Sequence, residues 1–172
     1  MLTPVADPRT ACLAALARGA GTSASDYLRL ARRTLEDLMA RDDLLAGIAL
    51  QRKPGGYART LLFGENGISV WAITWSPGSR TSVHDHHCSC CFGVWSGALR
   101  EVWFRALSET DAVATGEALR ESGSVACMMP SGPNLHQMLN AGPDEAISIH
   151  VYGFDPEIRA SSIEREYRIV AG

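Results

Sequence analysis

From about residue 57 onward the chain is written in short runs of β-branched, aromatic and other apolar residues, cut repeatedly by Gly, Pro, Asn and Asp. YARTLLF is followed by GENG, ISVWAITWS by PGSR, and then come CFGVW, ALREVWF, SVACMM, NLHQML and AISIHVY. Seven short strands at this density predict an antiparallel sandwich or barrel. Two helices are expected ahead of it. One is PRTACLAALARG, closed by Gly19. The other is SASDYLRLARRTLEDLMARDD, where Ser23 and Asp26 are spaced as a capping box. In the second, Leu28, Ala31, Leu35, Leu38 and Met39 recur at helical spacing and give it one apolar face to pack on the strands beyond it. With 172 residues, 46% of them hydrophobic, the chain suits a single domain: a helical flank over residues 1–50 and a barrel over residues 55–172. It has no long linker, internal repeat or low-complexity tract.

Charge excludes some partners. A net charge of −3 and a pI near 5.9, with no basic block, argue against nucleic acid and anionic membranes. Asp7 and Arg9 interrupt the start where a signal peptide needs its apolar stretch, and no apolar run approaches the ~20 residues that span a bilayer. The expectation is a soluble, cytoplasmic protein. Its five cysteines are an odd count, three of them crowded into VHDHHCSCC, so thiols are expected rather than a disulfide framework.

The same stretch holds three of the five histidines. On a strand, His84 and His86 leave from one face with Asp85 opposite, and such a pair can hold a metal ion if a third ligand arrives from another strand. His136 in NLHQML and His150 in SIHVY are the candidates. Three neutral imidazoles suit zinc with one open position or iron(II) with three, and spacing does not separate the two. Cys88, Cys90 and Cys91 lack the separated CxxC pairs of structural zinc sites.

GSRTSVHDH, a glycine followed after five residues by HxH, resembles the first motif of the cupin superfamily of small β-barrels. In that pattern a glutamate follows the second histidine and a glycine closes the motif. Here cysteine stands in place of the glutamate, and Gly97 closes. The loss of the glutamate resembles the thiol dioxygenases related to cysteine dioxygenase, and the likeness runs from about residue 57 to 159. SIHVY is similar to that family's second strand motif, with Ser148, His150 and Tyr152 at alternate positions. LHQ resembles the segment that supplies the third ligand, and YARTLLF the segment that supplies a carboxylate-binding arginine.

The resemblance implies a mainly β, jelly-roll-like cupin barrel and an iron(II)-dependent dioxygenase that turns a small thiol and O2 into a sulfinate. It implies His84, His86 and His136 as metal ligands, and Ser148, His150 and Tyr152 as a hydrogen-bonded relay. Arg59, with Tyr57 beside it, would anchor the substrate carboxylate, since a guanidinium fits a carboxylate with two hydrogen bonds. The cysteine that some relatives join to the relay tyrosine by a thioether falls on Cys91 counting forward from His86, and on Cys90 counting back from Gly97. WSPGSRTSVHDHH and HVYG are also similar to bacterial relatives that act on 3-mercaptopropionate, in which the substrate-binding arginine comes after the relay tyrosine, near Arg159. L-Cysteine is therefore the leading substrate, followed by 3-mercaptopropionate and, with both arginines in the pocket, a dicarboxylate such as mercaptosuccinate. Readings of other kinds are a non-catalytic cupin that binds a metal or small ligand, and a zinc or nickel cupin enzyme such as an isomerase.

Overall fold

A computed structural model describes residues 13, 14, 16, 23–130 and 134–171. The chain folds into ten strands behind one long helix among these residues, the helix being α1 (Ala24–Met39). The first expected helix falls largely outside them; its described Leu13 and Leu16 are buried beside α1. Ser23 caps α1, its hydroxyl accepting from the Asp26 amide at 3.2 Å and donating to the Asp26 carboxylate at 2.5 Å. This closes the helix start that the sequence implied.

β1 (Tyr57–Glu65), β2 (Ile68–Trp75), β9 (Ala146–Tyr152), β4 (Cys90–Ser96) and β7 (Val125–Met128) form one antiparallel sheet in that order. β10 (Ile163–Ile169), β3 (Val83–His86), β8 (His136–Leu139), β5 (Ala98–Ala106) and β6 (Asp111–Glu121) form the second. It closes on itself through a short parallel pairing of β10 with β6 at Arg168 and Ile169. Strand alternation gives the first sheet two distinct faces. Val70 and Ala72 of β2, Ile149 and Val151 of β9 and Cys91 of β4 face α1, where Ala31, Leu35 and Leu38 are at most 1% exposed. The helix lies close because Gly93 has no side chain: a Cβ there would meet Met39 at 2.9 Å. The other face, carrying Ile73, Trp75, Phe92 and Val94, looks inward to the second sheet. No helix among the described residues is long and apolar enough to cross a membrane.

Two expectations are corrected. β6 and β10 go beyond the strands marked by apolar runs. Most of their side chains are exposed to solvent, so their sequences DAVATGEALRE and IEREYRI carry too few apolar residues to signal a strand. The cysteines are not all thiols either. Cys91 and Cys127 are directly opposed residues of β4 and β7 and form a disulfide beneath α1, while Cys88 and Cys90 are free and buried. Cross-strand neighbours far apart in sequence are invisible to a count of spacings.

The bridge closes a separation of 36 residues, for which chain entropy gives a stabilisation of about 3–4 kcal/mol. Cys127→Ser should therefore lower the unfolding free energy of the oxidised protein by roughly that amount, with wild type in reductant falling to the same level. Denaturant titrations that coincide with and without reductant would show that the bridge does not form.

Candidate active site

The inward faces of the two sheets enclose a cavity of about 120 Å³. β3 supplies His84 and His86 on one face of the strand, and His136 at the start of β8 is the register partner of His84. All three are 3–5% exposed, and each offers a ring nitrogen within 4.8 Å of the others. Asp85, on the opposite face, accepts from the Arg165 amide and the Tyr167 hydroxyl and so ties β3 to β10. His87 is half-buried and hydrogen-bonds the Ser161 carbonyl through Nε2.

Hydrogen bonds on the far side of two rings decide which nitrogens are free. His84 Nδ1 lies 2.9 Å from the Ser82 carbonyl and His136 Nδ1 lies 2.9 Å from Glu101 Oε1. Each acceptor requires the hydrogen on Nδ1 and leaves a lone pair on Nε2. His136 Nε2 then faces His86 Nε2 at 3.1 Å, and His86 Nδ1 is buried without a partner. Burial above all holds His84 down to about 4 and His86 down to about 2, so both rings are neutral at physiological pH. Neutral rings with converging lone pairs are what a divalent cation takes as ligands, and these residues fit one.

Glu101 is the part of this site that the sequence reading missed. It is 1% exposed, two residues along β5 from the register partner of His136, and Arg120 Nε and Nη2 donate to its other oxygen at 2.9 and 2.7 Å. Burial pushes its pKa up, but hydrogen bonds from His136 and Arg120 and the Arg120 charge outweigh this and hold it below the ordinary range. The signal was present: Glu101 follows Leu99 in the inward phase of ALREVWF, where a carboxylate needs a partner.

Across the cavity β9 presents Ser148, His150 and Tyr152 on one face, all buried. Ser148 Oγ lies 2.8 Å from His150 Nε2, and His150 Nδ1 lies 3.1 Å from the Tyr152 hydroxyl. The Trp75 indole donates to Ser148 Oγ at 2.9 Å, a fourth link not anticipated. Phe92 stacks on His150 at 5.4 Å between centroids. Burial lowers the His150 pKa to about 3 and raises that of Tyr152 well above its usual value.

β1 brings Tyr57 and Arg59 to the cavity wall. The Arg59 guanidinium sits 5.1 Å over the Trp71 ring, and Nη2 donates to the Ala160 carbonyl at 3.0 Å. No Asp or Glu lines the cavity among the described residues, so this cation has no anion there. Arg159 is not brought to the cavity. It is mostly exposed and pairs with Glu164 at 3.3 Å, the chain having turned outward after β9. Cys90 lines the cavity as the register partner of Tyr152, whereas Cys91 points the other way into its disulfide. Burial raises the Cys90 pKa well above its ordinary value, so the thiol keeps its hydrogen.

A metal held here should depend on Glu101 as well as on the three rings. His136→Ala should abolish stoichiometric metal binding. Glu101→Gln should weaken it by about tenfold to a hundredfold, because the amide holds the His136 ring less firmly. Competition titration against a chelator reads both. An affinity unmoved by Glu101→Gln would leave the carboxylate only a structural part.

Comparison with known proteins agrees with this geometry. The family model for cysteine dioxygenase type I matches residues 50–160. The solved structure of an uncharacterized conserved protein with a double-stranded beta-helix domain from Klebsiella pneumoniae is 18% identical, covers 68% of this chain and 91% of its own, and superposes with a TM-score of 0.52. A sugar phosphate isomerase from a cupin superfamily, from Silicibacter pomeroyi, is 23% identical over 59% of this chain and 61% of its own, with a TM-score of 0.49. The Cnp3 cupin domain of Schizosaccharomyces pombe is 16% identical over 66% and 74%, also at 0.49. The Klebsiella structure gives the fold, a double-stranded β-helix, and no more than the fold. The family match runs from β1 through β9 and takes in the three clustered histidines, Arg59 and the Ser148–His150–Tyr152 chain. The chain belongs to the cysteine dioxygenase type I family and is an enzyme of its thiol dioxygenase class.

Proposed function

We propose that the protein is an iron(II)-dependent dioxygenase that converts a small thiol bearing one carboxylate, L-cysteine foremost, to its sulfinate with O2. The observation that carries this reading is one small cavity with three clustered imidazoles on one wall, a guanidinium without an anion on another, and a relay tyrosine between strands β2 and β4. His84, His86 and His136 hold the metal. Bound there, iron(II) would supply a redox-active Lewis acid through which a thiolate and O2 can react.

The chain's own residues do the rest. Arg59 has one N–H committed to Ala160, and its remaining donors receive the substrate carboxylate, fixing the sulfur end toward the histidines. Tyr152 hydrogen-bonds the bound reactants, its ring held by Cys90 and Phe154. Burial of the three histidines and of Tyr152 in the barrel limits the water that reaches them. Overall the thiolate and O2 combine: the O–O bond breaks, two S–O bonds form, and the four electrons lost by sulfur reduce both oxygens. The thiol proton leaves to solvent.

Specificity follows from the charges at hand. With Arg159 engaged by Glu164 at the surface, a second carboxylate has no partner, which disfavours mercaptosuccinate. 3-Mercaptopropionate is the second reading, favoured because no acidic side chain lines the cavity to receive an ammonium group.

Arg59→Gln should lower kcat/KM for L-cysteine by on the order of a hundredfold, the roughly 2–4 kcal/mol of a lost charge-assisted pair, whereas Arg159→Ala should leave it within about twofold. Oxygen-electrode kinetics on both variants check this, and an Arg59→Gln enzyme as active as wild type would remove Arg59 from the site.

We also propose a thioether between Cys90 and the Tyr152 ring, the pair that faces across β4 and β9. Its C–S bond replaces one C–H and one S–H, and O2 takes up the two hydrogens and two electrons as peroxide. Intact mass should fall by two hydrogens after turnover and stay unchanged in Cys90→Ala. A mass constant through many turnovers would exclude the link.

A further inference from the structure

The Ser148–His150–Tyr152 chain could carry its hydrogens in either direction, and nothing within the three residues chooses. If Ser148 donates to His150 Nε2, the ring hydrogen sits on Nδ1 and points at Tyr152, whose own hydrogen is left free. If the ring donates to Ser148 instead, Nδ1 is bare and takes the Tyr152 hydrogen. The two states differ in what reaches the cavity: a phenolic donor in the first, an oxygen lone pair in the second.

We infer that Trp75 sets the direction, so that His150 carries its hydrogen on Nδ1 and Tyr152 donates into the cavity. An indole N–H can only donate. Trp75 is 1% exposed and its Nε1 lies 2.9 Å from Ser148 Oγ, with the backbone of β2 fixing its place two residues from Ile73, the register partner of Ser148. Ser148 is fully buried, and among the described residues its hydroxyl has two neighbours, Trp75 Nε1 and His150 Nε2 at 2.8 Å. The indole therefore fills one acceptor position of the hydroxyl. Its single hydrogen has one acceptor left to it, His150 Nε2. Were the ring to donate there instead, the hydroxyl would accept twice and its own hydrogen would be stranded where no water reaches. One arrangement matches every donor: Trp75 to Ser148, Ser148 to His150, His150 to Tyr152 across 3.1 Å, and Tyr152 toward the cavity, where the buried Ser162 hydroxyl is its other polar neighbour. The stacking of Phe92 against His150 keeps the ring from turning over to exchange its nitrogens.

Trp75 is thus a positioning residue. Its ring also lies tilted against Tyr57 at 5.1 Å between centroids, but its part in the relay is the one polar atom, the indole N–H. The consequence for turnover rests on the thiol dioxygenase reading; the tautomer of His150 does not.

The test is long-range proton–nitrogen correlation NMR on the full chain, stripped of paramagnetic ions and without substrate, which reports which ring nitrogen of His150 carries hydrogen. A single Nδ1–H tautomer in wild type is expected, and an Nε2–H tautomer would overturn the inference whatever the variants do. Trp75→Phe keeps the aromatic bulk and removes the donor. It should give a mixture of the two tautomers in a protein that still folds cooperatively at a lowered melting temperature, and in the iron-loaded enzyme lower kcat by on the order of tenfold with KM for the thiol little changed. A Trp75→Phe protein that keeps the wild-type tautomer and the wild-type kcat would overturn it too. Absent oxygen uptake in wild type alongside the expected tautomer would count against the proposed activity and leave the relay direction standing.

Discussion

Two antiparallel ladders, β2 with β9 and β9 with β4, carry the rest of the structure. They place Trp71, His150 and Phe92 in one row, and Ser69, Tyr152 and Cys90 in the next. Because strand side chains alternate, that single register sends Ser148, His150 and Tyr152 toward the cavity and Ile147, Ile149 and Val151 toward α1. A slip of one residue would exchange the two sets. It would bury the relay under the helix and turn aliphatic side chains toward the three histidines. The apolar contact with α1 is therefore what holds the polar chain in place.

The site is almost free of formal charge, and burial is the cause. His84, His86 and His150 are neutral because desolvation disfavours the imidazolium, and Cys90 and Tyr152 keep their hydrogens for the same reason. Two charges survive next to the cavity, each with a reason. Glu101 stays ionised because His136 and Arg120 both donate to it. Arg59 rests on the Trp71 face and on one carbonyl, a weak hold for a cation, and so keeps donors for an incoming anion. In such surroundings a fixed donor or lone pair acts more strongly than in water.

Much of this was legible in the chain. Alternation in SIHVY and HDH put the right side chains on shared faces, and the turn residues gave the β-barrel and most of its strands. What escaped shares one property: it depends on neighbours across strands rather than along them. Glu101 meets His136 over 35 residues, Cys91 meets Cys127 over 36, and Trp75 meets Ser148 over 73. The choice between Cys90 and Cys91 could not be made by counting from either end, but the pleat separates them, one to the cavity and one to the disulfide. Arg159 comes soon after the relay strand in sequence, yet the chain turns outward before it and leaves it with Glu164 at the surface.

The most direct measurement is the fate of labelled oxygen. Iron-loaded protein supplied with L-cysteine, or with 3-mercaptopropionate, under isotopically heavy O2 should yield a sulfinate carrying two heavy oxygens, with one O2 consumed for each product formed. A product with heavy oxygen in only one position, or disulfide and peroxide with no sulfinate, would contradict a dioxygenase built on His84, His86 and His136.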